Sequence, residues 1–303
     1  MADLHVNLAG VELKNPVIAA SGTFGFGREF AELYPLFALG GVSCKGLTLE
    51  ERPGNPPPRI AETPGGMLNS VGLQNPGADR FLREDLPWLK RQGTVVIANA
   101  AGRTEEDYCA LAERLSDSDV DMIELNISCP NVKKGGAQFG TTRAGAEEIT
   151  KAVRAHCRKP LMVKLSPNAA DIGEIAAAVE AAGADAVSLI NTLTGMRIDI
   201  RTRRPILRNN TGGLSGPAVF PVAVRMVRQV YKRVKVPVVG MGGVASWQDA
   251  VELMLAGAAA VQVGTVLFSD PYAPLKITEG LRRYLTENGI ARVSELTGGV
   301  REW

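Results

Sequence analysis

The segment ELNISCPNVKKGGAQFG, residues 124–140, holds an amide (Asn126), a hydroxyl (Ser128) and a thiol (Cys129) within four positions. A Pro130–Asn131 turn and a glycine-rich run follow. An isolated cysteine is ordinarily a small buried apolar residue. Cys129 instead stands where an apolar run ends and a lid-like loop begins, which favours a catalytic role over packing. Cys44 precedes Lys45 and should face the opposite way along a strand. Cys109 and Cys157 fall in helical patterns and read as packing.

Other apolar runs end in the same manner. Ser21, Lys45, Asn99, Asn126, Lys164, Asn191, the Gly242–Gly243 pair and Gly264–Thr265 each close one. Two lysines and three asparagines ending otherwise apolar strands are an unusual set that converges on one mouth; capping of individual turns is the other reading of each asparagine. The two glycine sites let a backbone approach a phosphate closely, and Gly216, ahead of Pro217, adds a third donor position. Ordinary left-handed turns are the other reading of those glycines. NSVGLQNPG (69–77) offers either hydrogen bonds to a small polar ligand, with Asn69 as first donor, or a surface turn. Arg197, Arg201, Arg203, Arg204 and Arg208 form either a solvated hairpin or a surface for an acidic partner. His5 and His156 sit in a hairpin and on a helix. With no histidine triad and no metal-ligand cluster, hydrolase and metalloenzyme chemistry recede.

The positioning elements are legible in the hydrophobic pattern. VIAAS (17–21), VSCKG (42–46), VVIANA (95–100), MIELNIS (122–128), LMVKLS (161–166), AVSLINT (186–192), VPVVGMGG (236–243) and AVQVGT (260–265) read as strands buried on both faces. Helical stretches separate them. Thr104 with Asp107, Asp171 with Glu174 and Ser246 with Asp249 have the spacing of capping boxes. Tyr108, Leu111, Ala112 and Leu115 form a helical stripe. EAAGADAVSL and MLAGAAAVQV repeat a glycine helix stop before a strand, and ALGGVSC is a looser copy. Leu4 to Leu13 alternate about Gly10 as a β-hairpin. Eight strands alternating with helices predict an α/β fold, a single (β/α)8 TIM barrel with a short N-terminal β-hairpin, over one domain, 1–303. An open doubly wound sheet is the alternative. The long stretches 47–77, 129–142 and 193–216 read as irregular loops over the barrel mouth.

Bulk composition narrows the partners. With 34 basic and 32 acidic residues the net charge is +2, which argues against nucleic acid. The cysteines are scattered with no CxxC spacing, so no disulfide framework, zinc site or iron–sulfur cluster is expected on this chain. A reducing, cytoplasmic setting fits. No signal-peptide pattern and no apolar run of about 18 residues is present, so no membrane association is expected.

SGTFGFGREF, KGLTLEERPGNPPPR, NSVGLQNPG, ELNISCPNVKKGG, VKLSPN and GMGGV together resemble the class 1 dihydroorotate dehydrogenases over nearly the whole chain. The resemblance is strongest to the NAD-linked 1B type. It implies oxidation of dihydroorotate to orotate in pyrimidine (UMP) biosynthesis. Ser21, Lys45, Gly46, Asn99, Asn126, Lys164, Ile190, Gly216, Gly242, Gly243, Gly264 and Thr265 would contact FMN. Lys45, Asn69, Ser70, Val71, Gly72, Leu73, Asn126, Asn191 and Thr192 would contact substrate, with Asn131 a further candidate. Cys129 would take a proton from C5 as hydride leaves C6 for flavin N5. It also implies a partner subunit carrying FAD and a [2Fe-2S] cluster, in a heterotetramer of two plus two built on a homodimer core. The fumarate-linked 1A enzymes and the pyrimidine-reducing barrel of dihydropyrimidine dehydrogenases are the nearest alternatives. tRNA dihydrouridine synthases share the barrel, and a non-catalytic flavin-binding barrel is the rival of another class.

Overall fold

The computed structural model describes residues 2–128 and 139–303. In chain order the strands are β1 (Val6–Leu8), β2 (Val11–Leu13), β3 (Val17–Ala19), β4 (Gly41–Ser43), β5 (Ile60–Thr63), β6 (Gly66–Asn69), β7 (Val96–Ala100) and β8 (Met122–Asn126). They continue as β9 (Leu161–Lys164), β10 (Ala186–Leu189), β11 (Leu193–Gly195), β12 (Ile198–Asp199), β13 (Arg204–Pro205), β14 (Gly212–Ser215), β15 (Val238–Met241) and β16 (Ala260–Val263). The helices are α1 (Arg28–Ala31), α2 (Ala78–Arg80), α3 (Leu86–Arg91), α4 (Glu105–Ser116), α5 (Arg143–His156), α6 (Ile172–Ala181), α7 (Phe220–Tyr231), α8 (Trp247–Ala256) and α9 (Ala273–Glu287).

Strands β3, β4, β7, β8, β9, β10, β15 and β16 pair in parallel in that order and close into a barrel. They are the eight predicted runs. Every residue of β7 and β8 is buried, as expected where helices cover one face and the barrel interior the other. β1 and β2 form the predicted antiparallel hairpin. No helix among the described residues is long and apolar enough to cross a membrane.

The helix starts follow from local chemistry. Asp107 N–H donates to Thr104 Oγ1 at 3.2 Å and Thr104 N–H to Asp107 Oδ2 at 3.3 Å, a complete capping box. Ser246 and Asp249 form the same pair at the start of α8. Asp171 departs from the expectation. Its Oδ1 accepts from both Gly173 N–H (2.8 Å) and Glu174 N–H (3.1 Å), so one carboxylate caps the helix without a reciprocal bond from the Glu174 side chain. The stripe of Tyr108, Leu111, Ala112 and Leu115 is buried as predicted. Cys109 lies on α4, but Cys157 lies one residue past α5 in extended backbone.

Two of the predicted irregular loops are ordered instead. β5 and β6 from the stretch 47–77 join β11 and β14 from 193–216 in a four-stranded antiparallel sheet, ordered β11-β14-β6-β5. Its central register sets Gly213 opposite Asn69 and Ser215 opposite Met67. These strands are short and glycine-rich, and their partners are far apart in sequence, so no local period betrays them. The approach is close: a Cβ on Gly66 would fall 2.0 Å from the Ser215 carbonyl oxygen. The arginine run is the β12–β13 hairpin, with all five arginines exposed, as the solvated reading expects.

Candidate active site

The carboxyl ends of the barrel strands surround a cleft of about 570 Å³, within the range of small-molecule sites. Its walls include Ser21, Lys45, Gly46, Asn99, Asn126, Lys164, Ile190, Gly242, Gly243, Gly264 and Thr265 from the barrel. The whole Asn69–Leu73 segment, Asn191 and Thr192 also line it, so the two predicted residue sets meet in one place. Gly216 does not line the cleft; its neighbour Ser215 does. Cys129 and Asn131 lie outside the described residues. The flanking Ser128 and Thr141 both line the cleft. A second depression of about 440 Å³ lies among Leu82, Leu86, Lys90, Arg114 and Asp117 in the outer helical layer, with no strand end in its walls.

One end of the cleft is built from backbone. Among the described residues, none accepts a backbone hydrogen bond from the N–H groups of Gly242, Gly243, Gly264 or Thr265. Gly242 and Gly243 have φ of +114° and +82°, which an L side chain rarely adopts. Unpaired N–H groups on adjacent loops, with no Cβ over the glycines, suit a phosphate.

The rest of the cleft is cationic and rich in amides. Lys45 and Lys164 line it, and among the described residues neither ammonium has a carboxylate within ion-pair range. Burial, together with the positive charges of Arg59 and Lys164, pulls the Lys45 ammonium below the ordinary lysine range. A group in that condition gains most from an anionic ligand. Asn126 Nδ2 donates to Asn99 Oδ1 (3.5 Å), Asn191 Nδ2 donates to Asn126 Oδ1 (3.4 Å), and Ser128 N–H also donates to Asn126 Oδ1 (3.3 Å). Tyr108 fixes the strand end by donating its hydroxyl to the Asn126 carbonyl at 2.8 Å.

Residue-by-residue reading of strand ends misses several contributors. Glu124 is wholly buried beneath the cleft and accepts hydrogen bonds from Ser43, Asn99, Ser188 and Gln262. A glutamate in the middle of the apolar run MIELNIS is the signal that would have found it. Asn168 lines the cleft and donates to the Thr192 carbonyl at 3.1 Å; Arg59 adds charge from the covering sheet. Cys44, fully buried, faces away from the cleft as expected, and burial pushes its thiol far above the ordinary cysteine range.

The profile of one protein family, described as dihydroorotate dehydrogenase, matches residues 3–285. The chain belongs to the dihydroorotate dehydrogenase family. Within it, the chain is 56% identical over 98% of its length to a protein of Alkaliphilus oremlandii, 98% of which is covered. It is 57% identical over 98% of its length to a protein of Geotalea uraniireducens, again with 98% covered. A protein of Bacteroides thetaiotaomicron is 54% identical, over 99% of both chains. All three relatives are named "Dihydroorotate dehydrogenase B (NAD(+)), catalytic subunit".

Proposed function

We propose that this chain, as one barrel domain over 1–303, binds FMN and oxidises dihydroorotate to orotate in pyrimidine biosynthesis as the catalytic subunit of an NAD-linked dihydroorotate dehydrogenase. The observation that carries this reading is the single cleft in which a backbone cradle of unpaired N–H groups adjoins the half-buried Lys45, the buried Lys164 and three linked asparagine amides.

The residues fit FMN. Gly242, Gly243, Gly264 and Thr265 offer N–H groups to its phosphate, and Ser21, Lys45, Gly46, Asn99, Asn126, Lys164 and Ile190 line the space for the remainder, with Gly216 behind Gly243. When bound, FMN supplies the acceptor for the hydride from C6 of dihydroorotate. Cys129, as thiolate, takes the C5 proton, so the substrate loses one hydride and one proton and gains the ring double bond. Lys45 neutralises the substrate carboxylate. Asn69, Asn126 and Asn191 match the ring's carbonyls and N–H groups, because an amide presents both a donor and an acceptor. Ser70, Val71, Gly72, Leu73 and Thr192 close over the substrate. Lys164, buried at the cleft, would offset negative charge on the reduced cofactor.

Gly213→Ala tests the substrate end. An alanine Cβ there would lie 2.0 Å from Thr192 Oγ1 and 2.5 Å from Thr192 Cβ, so the whole Thr192 side chain must move. Overpacking of this kind costs about 1–3 kcal/mol, so KM for dihydroorotate is expected to rise about tenfold while FMN content holds. An unchanged KM in steady-state assays would remove Thr192 from the substrate site.

The relatives' designation as catalytic subunits implies another subunit. That subunit carries FAD and a [2Fe-2S] cluster and passes electrons to NAD, in a cytoplasmic heterotetramer of two plus two on a homodimer of this chain. The test compares acceptors. The purified chain should reduce NAD+ with dihydroorotate only when the partner is added. Rapid turnover with fumarate and no second protein would contradict the NAD-linked assignment.

A further inference from the structure

Glu124 has no part in the chemistry above, yet it is the most heavily bonded side chain in the barrel interior. It projects from β8 and is wholly buried. Its Oε2 accepts from Ser43 Oγ at 2.7 Å and Asn99 Nδ2 at 2.6 Å; its Oε1 accepts from Ser188 Oγ and Gln262 Nε2, both at 2.8 Å. Those donors come from β4, β7, β10 and β16, four other strands of the same barrel. Burial alone would raise the carboxyl's proton affinity. The Lys164 charge and the bonds from Ser43, Asn99 and Ser188 outweigh it and hold the group below the ordinary carboxylate range, so it stays ionised at neutral pH.

We propose that Glu124 is a positioning residue that sets the hydrogen-bond direction of the Asn99–Asn126–Asn191 amides, and with it the pattern of donors and acceptors shown to a pyrimidine ring. The argument is one of polarity. An ionised carboxylate can only accept. Asn99 must therefore turn its NH2 toward Glu124 and its carbonyl toward the cleft, where Asn126 Nδ2 donates to it. Asn126 in turn offers its carbonyl to Asn191 Nδ2. The far end is fixed by a group that can only donate, since Thr192 N–H donates to Asn191 Oδ1 at 2.8 Å. The backbone N–H groups of Ser128 and Thr192 fix the carbonyls of Asn126 and Asn191, and Glu124 fixes Asn99 so that all three amides share one self-consistent order. A neutral amide at position 124 can present either polarity, so Asn99 is free to reverse and set its NH2 against that of Asn126. Of the three, Asn126 and Asn191 are proposed to touch substrate, so the inference rests on the dihydroorotate reading.

The test uses the FMN-loaded protein and orotate as probe, with binding read from the flavin absorbance. Glu124→Gln is expected to weaken orotate about tenfold, the effect of a mispaired buried polar group, with FMN still bound. Adding Asn99→Asp to that variant returns an acceptor-only group to the chain, one strand further along, and is expected to recover most of the loss. Affinity within twofold of wild type for Glu124→Gln overturns the proposal. So does a weakened variant that the second substitution fails to rescue, because a mere cross-link between strands would behave that way. Should Glu124→Gln not fold, neutron diffraction on the wild-type protein decides. Deuterium on the Asn126 atom facing Asn99 supports the proposal, and a carbonyl oxygen there overturns it. Wild-type protein that binds FMN but not orotate would sink the functional reading instead, a separate outcome.

Discussion

Cys129→Ala is expected to slow flavin reduction by dihydroorotate about 10²–10⁴-fold, the range for removing a positioned general base. The proton at C5 then has no side chain to receive it, while Lys45 and the amides proposed to bind the substrate remain. Binding of orotate should therefore stay close to wild type. Anaerobic stopped-flow mixing separates the two quantities, because flavin bleaching reports the chemical step and the binding spectrum reports affinity. Cys129 lies outside the described residues, and its assignment stands on the sequence motif and on Ser128 and Thr141, which flank its segment and line the cleft. Reduction at the wild-type rate would strip Cys129 of its role and direct the search for a base to the other cleft residues.

Lys164→Met is expected to lower both stability and turnover. Lys164 is 5% exposed, and its charge is the largest influence opposing the burial of Glu124. Removing that cation leaves the buried carboxylate with its neutral donors alone, which lowers stability. The pH dependence follows from the direction of the Glu124 shift. In the wild type the folded-state value is depressed below the unfolded one of about 4.3. The group therefore adds stability above that pH, and the contribution is lost as pH falls through the depressed value. In the variant the carboxyl moves upward, because burial is no longer opposed by the cation. The deficit relative to wild type is then full above the variant's raised value and shrinks toward acid. Urea unfolding followed from neutral pH into the acid range should show a deficit that shrinks once pH falls below the variant's Glu124 value. A deficit that does not change with pH would mean that Lys164 and Glu124 are not coupled. Turnover should fall about 10²–10³-fold, as for loss of one preorganised electrostatic contact.

How much of this was legible in the sequence depended on the range of the interaction. The barrel strands announced themselves because each is apolar on both faces and stands between capped helices, and both features are local. The strand ends then delivered Lys45, Asn99, Asn126, Lys164 and Asn191 to one cleft, since parallel strands in a closed barrel put all their carboxyl ends on one side. The covering sheet was not legible. Gly213 pairs with Asn69, 144 positions earlier, and neither GGLS nor GMLN carries an alternating pattern long enough to read. Glu124 was overlooked for a different reason. Its significance comes from donors on four other strands, and a sequence shows none of those bonds. The Asp171 cap was half right: the residue was the correct one, but a single oxygen satisfied both N–H groups and left the Glu174 side chain no part.

The most direct test of the account is the visible spectrum of the purified protein, recorded without oxygen before and after dihydroorotate is added. The account predicts an oxidised flavin spectrum that bleaches on addition, with about one flavin per chain and orotate as the product. A flavin that stays oxidised in the presence of dihydroorotate would contradict the substrate assignment while leaving the barrel and its phosphate cradle in place.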